Sequence, residues 1–432
     1  MLNKEIISVL SEWNFWHKDI STGVLRQKYV GDLYRQKDLK EVSIVTGVRR
    51  SGKSTIVLQT LKQIIKSGVP VVNILYVNFE EPIFSTNLDL NFLLQMFRAY
   101  REEFSPKGKV YVALDEVHLV PQWEKFVRGI YDRDSNIKFF ITDSSSHLLS
   151  NEFGSSLTGR TFTNAVYPLS FGEYLKFNHE EKQLDGDAHT PELMHLFLKY
   201  LEFGGFPQIV LTFSDDDKSR LLKEYYFAIL EKDIIARYGV RNARQFKEFA
   251  LFAISSSGLI VSGYAAEKKQ NIPQPTANKF LDYLEEVFLL SQARYFSYSL
   301  TKQRKWPAKV YCVDTGLYNA TSFQFTENIG RSFENAVYLG LKRAGLEVFY
   351  WKNKKETDFL VRDGRKIDRL LNVCWDLNKE NKDREISALI ESMQEFKIDK
   401  GEIITVGYED TITVETGTIE IKNFFSVPEF VE

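Results

Sequence analysis

The stretch EVSIVTGVRRSGKSTIVLQT, residues 41–60, decides the fold of the first part of the chain. Residues 42–46 are apolar and β-branched, which predicts a buried parallel strand. After Lys53, apolar residues recur at helical spacing as far as Gly68, a typical helix stop. The loop between strand and helix reads G-x-x-x-x-G-K-S, and strand–loop–helix is the context of a phosphate-binding Walker A motif. The sequence therefore predicts a nucleoside triphosphate site.

The chemistry of such a loop assigns roles to its residues. Glycines let backbone N–H groups approach the phosphates, and the N-terminus of the following helix favours anions. Lys53 is predicted to reach the β- and γ-phosphates as a catalytic residue, and Ser54 to bind Mg²⁺. The alternative is a glycine-rich turn with a surface lysine. The predicted nucleotide-binding residues are Gly47, Val48, Arg49, Arg50, Ser51, Gly52, Lys53, Ser54 and Thr55.

Two cations in this loop are not explained by phosphate chemistry. Arg49 and Arg50 bring more charge than a backbone cradle needs, so we expect their side chains to point outward. Our hypothesis is that they contact a helical lid or the tail of the chain and report the nucleotide state to those domains.

A second motif supplies the acidic residues that a P-loop enzyme needs. Residues 110–118 read VYVALDEVH, an apolar strand that ends in Asp115 and Glu116. Asp115 is predicted to hold Mg²⁺, as in Walker B, and Glu116 to orient or activate the attacking water. An Asp-Glu pair favours hydrolysis over phosphoryl transfer to a small acceptor. A solvated strand end is the alternative, and His118 is expected to be structural.

Further strands are predicted at residues 71–79 and 138–146. Strands alternating with helices imply a doubly wound parallel α/β sheet with its site at the carboxyl ends of the strands. There Thr142 or Ser144 could sense the γ-phosphate, with a serine-rich turn as the alternative. Arg160 is predicted as a catalytic arginine finger, in cis or from a neighbouring subunit, with a surface ion pair as the alternative.

Length and composition limit the class of protein. The 432 residues are 44% hydrophobic and 26% charged, which suits a soluble globular chain of two to four domains. A net charge of −2 argues against a nucleic-acid coat protein but allows a local basic face. Two cysteines, no signal peptide and no run of 18 apolar residues favour a cytoplasmic protein without a membrane partner.

The middle of the chain is predicted to be helical and then locally basic. Three helices and two strands after Arg244 have the layout of a winged helix. Residues 232–312 carry 13 lysines and arginines against 6 aspartates and glutamates, a net charge of +7. Contact with DNA phosphates is therefore predicted near Trp306, although Glu285 and Glu286 on the candidate recognition helix suit a surface that packs only on protein. The basic residues beside Trp306 are Lys302, Arg304 and Lys305.

The tail resembles the PD-(D/E)XK nuclease core in the order of its acidic residues. Glu334 lies on a predicted helix and Asp358 on a predicted hairpin strand. The third strand carries Asn372 and Cys374 where that core has an acid and a lysine. We therefore predict that the fold is kept and cleavage is lost. The alternative for Glu334 and Asp358 is a buried salt bridge with a lysine at 352 or 354.

Several short strings together resemble the prokaryotic AAA-type ATPases that carry a C-terminal domain of unknown function. That family is similar to archaeal ATPases with a winged helix and a restriction-endonuclease-like tail. The resemblance implies ATP rather than GTP as the nucleotide. Asp143 sits where a glycine is common, so it is expected to point away from the γ-phosphate or to bind a cation. The strings are NFW (14–16), GVRRSGKS (47–54), LDEVH (114–118), YPLSFGEYL (167–175), FGGFP (203–207), DTGLYNA (314–320) and ETDFLV (356–361).

The predicted architecture is therefore an AAA-like P-loop α/β domain followed by a helical and winged-helix part and a nuclease-like α/β domain. The expected activity is Mg²⁺-dependent ATP hydrolysis. The alternatives are a nucleotide-gated switch with very slow hydrolysis and a DNA-processing nuclease. Besides ATP, the expected partners are DNA through residues 232–312 and a protein partner or a second copy of the chain. The predicted domains are 1–30 (N-terminal helical), 31–178 (P-loop), 179–240 (lid), 241–320 (winged helix) and 321–432 (nuclease-like).

Overall fold

The computed structural model describes residues 2–85, 88–146, 157, 159–184, 190–321 and 329–432. The chain divides into two compact units, Met1–Val166 and Tyr167–Glu432. No helix within the described ranges is long and apolar enough to cross a membrane.

The first unit is built on a five-stranded parallel sheet in the order β2-β3-β4-β1-β5. Neighbouring residues of one strand pack into different apolar clusters, because successive side chains point to opposite faces of a sheet. Val42 and Ile44 join one apolar cluster, and Val45 joins the other. The sheet is therefore buried on both faces, and the predicted parallel α/β sheet is confirmed. Its strands are β1 (Val42–Thr46), β2 (Ile74–Asn78), β3 (Val110–Asp115), β4 (Ile137–Asp143) and β5 (Thr161–Ala165).

Helices cover the two faces of this sheet. Asn14 fixes the segment before the predicted phosphate-binding loop to β2, which is an edge strand of the sheet. Its side-chain amide accepts from the Tyr76 N–H at 2.7 Å and donates to the Tyr76 carbonyl at 2.8 Å. An asparagine thus pairs with backbone groups that an edge strand otherwise leaves open. The helices of this unit are α1 (Asn3–Trp13), α2 (Gln27–Arg35), α3 (Lys53–Lys66), α4 (Leu90–Phe104) and α5 (Trp123–Arg133).

The strand order decides which loops meet. β4 lies between β1 and β3, so the carboxyl ends of all three strands are neighbours at one edge of the sheet. The phosphate-binding loop follows β1, the predicted Walker B acids end β3, and Thr142 and Asp143 end β4. Residues from three separate parts of the sequence therefore share one edge.

The second unit contains a nine-stranded mixed sheet in the order β13-β14-β12-β11-β10-β9-β7-β8-β6. The sheet continues across the domain boundary predicted at residue 320, because β7 pairs in parallel with β9 through Arg294↔Phe349 and Tyr295↔Tyr350. Its strands are β6 (Leu259–Val261), β7 (Leu290–Tyr295), β8 (Ala308–Cys312), β9 (Glu347–Lys352), β10 (Glu356–Asp363), β11 (Lys366–Val373), β12 (Lys400–Thr405), β13 (Asp410–Val414) and β14 (Gly417–Asn423).

The three helices expected after Arg244 are present as α10, α11 and α12, and the basic residues beside Trp306 lie on the short helix α13. A π-helix, Ile229–Ala236, continues directly from α9. The helices of the second unit are α6 (Phe171–Phe177), α7 (Pro191–Phe203), α8 (Pro207–Val210), α9 (Asp215–Ala228), α10 (Ala243–Ser255), α11 (Gly263–Gln270), α12 (Gln274–Glu286), α13 (Leu300–Lys305), α14 (Thr315–Thr321), α15 (Ile329–Arg343), α16 (Lys382–Phe396) and α17 (Pro428–Val431).

Two of the family-like strings, at 203–207 and 314–320, meet inside the second unit. The buried Asp314 carboxylate accepts from the Gly205 N–H at 2.7 Å and from the Leu317 N–H at 3.0 Å. Gly204 has a φ of 74°, and a Cβ there would lie 2.0 Å from Asp314 Oδ1. Burial raises the pKa of Asp314 to about 6. The glycine pair therefore forms a turn that packs on a buried carboxylate, which gives both strings a structural role.

Candidate active site

The loop after β1 has the backbone of a phosphate cradle. Gly47 has a φ of 144°, and a Cβ there would lie 2.1 Å from the Val166 carbonyl oxygen. Arg50 and Gly52 have φ values of 71° and 96°, after which α3 begins at Lys53. Successive positive and negative φ values turn backbone N–H groups toward one concave side, where the helix N-terminus adds its favourable field. Only glycine fits at position 47 without moving the neighbouring strand end.

Lys53 is buried and faces back onto this loop. Its Nζ donates to the Gly47 carbonyl at 2.9 Å and to the Val48 carbonyl at 3.1 Å. An ammonium has three donors, so one N–H remains for another acceptor. The nearest carboxylate oxygen, Glu116 Oε1, lies 4.0 Å from Nζ. The side chain is thus held above the cradle, where it can donate to a phosphate.

Asp115 ends β3 at the centre of a network of hydroxyl groups. Its Oδ1 accepts from Ser54 Oγ at 2.9 Å and from Thr142 Oγ1 at 2.5 Å. Its Oδ2 accepts from Tyr76 Oη at 2.7 Å, and burial, followed by the nearby Asp115 carboxylate, raises the pKa of Tyr76 well above its usual range. Hydroxyl and carboxylate oxygens are the ligands that Mg²⁺ prefers. The neighbouring oxygens of Ser54 and Asp115 therefore fit the predicted magnesium site.

Glu116 sits in a strained backbone conformation beside this network. Its φ of 53° lies in the left-handed region, which costs free energy in a residue other than glycine. The Glu116 N–H donates to Thr142 Oγ1 at 2.9 Å, which fixes the turn. Burial raises the pKa of Glu116, and the Lys53 ammonium opposes that shift. A buried carboxylate with a raised pKa is suited to accept a proton from water.

The structure thus brings together Lys53, Ser54, Asp115 and Glu116, and adds Thr142 as the residue that joins the two acids. Ser144 is buried next to the end of β4, and Thr55 is exposed on the first turn of α3.

Arg49 has a partner that the sequence prediction did not include. Its guanidinium donates two hydrogen bonds, of 3.1 and 3.2 Å, to Glu80 Oε1 just after β2. This ion pair lies within the first unit. The predicted contact of Arg49 and Arg50 with the lid or the tail stays a prediction.

Arg160 is not at the phosphate site of its own unit. Its carbonyl accepts from the Val42 N–H at 2.8 Å, at the amino end of β1, whereas the cradle follows the carboxyl end. Its guanidinium lies 3.7 Å from Asp132 Oδ1 and over the ring of Tyr131. This position favours the surface ion pair over an arginine-finger role in cis. A role at a neighbouring subunit's site stays a prediction.

Arg26 is a site residue that the sequence analysis missed. Its side chain is only 3% exposed, and Nη1 donates to the carbonyl of Ser51 inside the loop at 2.9 Å. Gln59 of α3 accepts from the Arg26 N–H at 3.3 Å and donates to the carbonyls of Thr22 and Val24, each at 2.8 Å. The segment before α2 is therefore fixed to the loop. The sequence signal that could have indicated this contact is Gln59, a polar residue on the buried face of a helix.

The acidic residues of the tail do meet, but around a lysine that the sequence analysis did not consider. Lys309 Nζ of β8 lies 3.0 Å from Glu334 Oε1, 2.8 Å from Glu356 Oε1 and 3.2 Å from Asp358 Oδ1. The predicted partners at 352 and 354 are therefore wrong for Glu334 and Asp358; Lys352 instead pairs with Glu356. These carboxylates raise the pKa of Lys309 well above its usual range against the opposing effect of burial.

Asn372 and Cys374, which stand where the nuclease core has an acid and a lysine, have surroundings that suit a structural role. The Asn372 amide donates to Glu385 Oε2 at 2.7 Å, while its oxygen accepts from the Asp358 N–H at 3.3 Å. Burial raises the pKa of the Cys374 thiol to about 11. The Asn372 amide is taken up by hydrogen bonds, and the Cys374 thiol is neutral. Neither side chain can replace the catalytic ammonium of the nuclease core.

Replacing Glu334 with glutamine is expected to change how stability depends on pH. Burial raises the pKa of Glu334 to about 7 from an ordinary 4.5, although Lys309 opposes the shift. Its contribution to stability is therefore complete below pH 4.5 and is lost as the pH rises through 7. Between pH 5.5 and 8, the wild type should lose about 2 kcal/mol relative to Glu334→Gln. Urea titrations at both pH values measure this difference, and an equal response in both proteins would contradict it.

Comparisons with known proteins agree with the phosphate-binding geometry. Residues 39–175 match the family model described as an AAA domain, and residues 194–328 match a domain of unknown function (DUF8612). Protein MJ1544 of Methanocaldococcus jannaschii, which is uncharacterized, is 34% identical over 383 residues, or 86% of this chain and 82% of that protein. An uncharacterized protein of Haemophilus influenzae is 31% identical over 359 residues, or 81% of this chain and 86% of that protein.

Solved structures align at low TM-scores. AMPPCP-bound DnaA from Aquifex aeolicus covers 63% of this chain and 93% of its own, with 11% identity and a TM-score of 0.33. The Aeropyrum pernix ORC1 protein in complex with DNA covers 69% of this chain and 93% of its own, with 13% identity and a TM-score of 0.31. The identity to MJ1544 over most of both chains carries the assignment: residues 39–175 match an AAA domain, and this chain belongs to the family of MJ1544.

Proposed function

We propose that the chain is a Mg²⁺-dependent ATPase whose nucleotide state is coupled to the second unit. One observation carries the proposal: Lys53, Ser54, Asp115 and Glu116 converge at one sheet edge, although they come from two motifs some 60 residues apart. A slow nucleotide switch would need the cradle and the magnesium ligands but not Glu116. The buried carboxylate next to Lys53 therefore favours hydrolysis over a switch.

Each residue has a part in the proposed reaction. The backbone N–H groups of the loop and Lys53 bind and orient the β- and γ-phosphates. Ser54 and Asp115 would hold Mg²⁺, which neutralises phosphate charge when bound. Thr142 keeps Asp115 in place and fixes the Glu116 N–H. Glu116 accepts the proton of the attacking water, and the strained turn at its backbone holds its carboxylate over the cradle.

Asp115→Asn is expected to raise the Mg²⁺ concentration for half-maximal turnover at least tenfold and to lower turnover at least a hundredfold. Asparagine keeps the size of the side chain but removes the charge that attracts the cation. Phosphate release measured against Mg²⁺ concentration tests this. The matched control is Asp38→Asn, an exposed carboxylate of the same unit, which should behave as the wild type. An unchanged Mg²⁺ requirement in Asp115→Asn would exclude Asp115 as a ligand.

We further propose that DNA is a partner of the second unit. A groove of 550 Å³ lies between α12, β7 and α13, lined by Arg294, Arg304, Lys305 and two exposed aromatic residues, Tyr264 and Trp306. Cations attract the phosphate backbone, and exposed rings can stack on bases. Asp282 also lines the groove and offsets part of this charge. The three helices α10, α11 and α12, followed by strands β7 and β8, support the winged-helix prediction for residues 241–320.

The nuclease-like tail is proposed to have lost the ability to cleave DNA. Lys309 Nζ occupies the space between the carboxylates of Glu334, Glu356 and Asp358, where a catalytic metal ion would have to lie. Displacing a buried ammonium from three carboxylates would leave it without a partner, at a cost of several kcal/mol.

The double variant Arg304→Ala/Lys305→Ala should weaken binding of a short DNA duplex roughly five- to tenfold at 0.1 M salt, because two phosphate contacts are lost. Fluorescence anisotropy measures the affinity, and the control is Lys354→Ala/Lys355→Ala, an exposed pair elsewhere in the second unit. The same DNA incubated with Mg²⁺ should stay uncut. Equal affinities for the two double variants would exclude the groove, and a nicked product would contradict the proposed loss of cleavage in the tail.

A further inference from the structure

Three side chains meet at the carboxyl ends of β3 and β4, on the side of Glu116 that faces away from Lys53. His118 Nδ1 lies 3.1 Å from Asp143 Oδ1 and 3.4 Å from Glu116 Oε2. One ligand-type atom from each of the three residues lies within 4.8 Å of the other two. Asp143 Oδ1 thus faces an imidazole, and its orientation away from the γ-phosphate stays a prediction.

Asp143 Oδ1 accepts hydrogen bonds from the Ser145 N–H at 3.0 Å and from Ser145 Oγ at 3.3 Å, but hydrogen bonds do not account for the two atoms that face it. His118 Nδ1 and Glu116 Oε2 are both buried atoms without a hydrogen-bond partner among the described residues, in spite of their short separations. Glu116 is 8% exposed and Asp143 is 1% exposed. Burying two carboxylates side by side is costly unless cations compensate their charge, and the Lys53 ammonium faces the other oxygen of Glu116, Oε1, at 4.0 Å. The unsatisfied atoms are directed at the space between the three side chains.

The two separations measured from His118 Nδ1, 3.1 Å and 3.4 Å, fit the edges of a metal coordination sphere. Two ligand atoms bound about 2.1 Å from one ion lie about 3.0 Å apart at octahedral angles and about 3.4 Å apart at tetrahedral angles. One imidazole nitrogen with two carboxylate oxygens suits Zn²⁺, Mn²⁺ and related ions better than Mg²⁺ or Ca²⁺, which prefer oxygen alone. His118 is partly exposed, with 21% of its side chain accessible, so an ion can reach the cluster.

We propose that Glu116, His118 and Asp143 bind a divalent transition-metal ion, and that the bound ion stops ATP hydrolysis by holding the Glu116 carboxylate. The inhibitory part rests on the proposed ATPase function, whereas the metal site does not. Glu116 Oε1 faces Lys53 and Oε2 faces His118, so one carboxylate serves both sites. An ion on Oε2 withdraws the electron density that a general base needs. The loop and Lys53 stay free to bind nucleotide.

Calorimetric titration of Zn²⁺ into the nucleotide-free, full-length chain tests the site without reference to turnover. The wild type should bind one equivalent at this site, with an affinity at least tenfold higher than that of His118→Ala. Asp143→Asn should be weakened similarly, and it is a second variant of nearly unchanged size. The control is His17→Ala, an exposed histidine of the same unit, which should bind as the wild type does. Both cysteines are buried, which limits competition from thiols.

Absorption of bound Co²⁺ gives an independent readout, because its visible bands report an ordered site with a nitrogen ligand. These bands should appear in the wild type and His17→Ala and be absent in His118→Ala. Equal Zn²⁺ affinity in His118→Ala and His17→Ala, or identical Co²⁺ spectra, would overturn the site.

Turnover measurements test the inhibitory part. At saturating Mg²⁺-ATP, the Zn²⁺ concentration that halves the wild-type rate should rise at least tenfold in His118→Ala. An equal response of the two proteins would overturn the inhibition even if the site binds metal. Absence of wild-type turnover would contradict the proposed ATPase function, whereas the nucleotide-free titrations would still decide the metal site.

Discussion

Lys53→Ala is expected to lower the rate of ATP hydrolysis at least a thousandfold and to weaken ATP binding at least tenfold. Lys53 is a buried cation aimed at the cradle by its hydrogen bonds to the Gly47 and Val48 carbonyls. Alanine removes the donor that follows the γ-phosphate through the transition state, where charge is spread over its oxygens. It also leaves the Glu116 carboxylate without the ammonium 4.0 Å away.

The control for this variant comes from the same helix. Lys66 is the exposed last residue of α3, and Lys66→Ala removes the same charge far from the cradle. It should keep wild-type turnover and affinity. Thermal unfolding of both variants shows whether the fold is kept. If folded Lys53→Ala hydrolyses ATP at half the wild-type rate or more, the loop is not the catalytic site.

Glu116→Gln is expected to lower turnover at least a hundredfold while ATP affinity stays within about threefold of the wild type. Loss of a general base typically costs 10² to 10⁴ in rate. Glutamine has the same size and can keep the turn that the Thr142 hydroxyl fixes through the backbone N–H. Because Glu116 is not part of the loop, its loss should affect the chemical step rather than binding.

This separation of binding from turnover discriminates an ATPase from a nucleotide switch. The matched control is Glu103→Gln, an exposed glutamate on α4 of the same unit, which should turn over ATP as the wild type does. Equal rates for Glu116→Gln and Glu103→Gln would mean that no base acts at position 116 and would favour a slow switch.

The central part of the site could be predicted from the sequence because its residues lie within two short motifs. Lys53 and Ser54 follow a strand and begin a helix, and the acids end a second strand. Parallel strands then place both sets at one edge, so the convergence follows from the fold class. The contact between Thr142 and Asp115 depends on β4 lying between β1 and β3, an order that the sequence pattern does not reveal.

The positions of other residues depend on contacts between distant parts of the chain, which no local sequence pattern reveals. Arg26 reaches the Ser51 carbonyl from 25 positions earlier in the chain. Arg160 was placed by its position after a glycine, but the register Val42↔Thr161 puts it at the amino edge of the sheet. A sequence motif gives the order of residues along a strand. It does not give the end of the sheet at which a loop begins.

In the tail, too, local sequence does not reveal which residues are in contact. Glu356 and Asp358 are two residues apart on β10, so they share one face of the strand and can reach the same cation. The sequence offers lysines at 352 and 354 as partners for Glu334 and Asp358. The cation is instead Lys309 of β8, which lies 25 residues before Glu334 and 49 before Asp358. The sheet that joins these strands also crosses the boundary predicted at residue 320.

Release of inorganic phosphate from ATP by the purified full-length chain tests the central claim most directly. The rate should be measurable with Mg²⁺, should vanish with a chelator, and should fall at least a thousandfold in Lys53→Ala but not in Lys66→Ala. Wild-type phosphate release that is no faster than that of Lys53→Ala, in protein shown to bind ATP, would contradict the account.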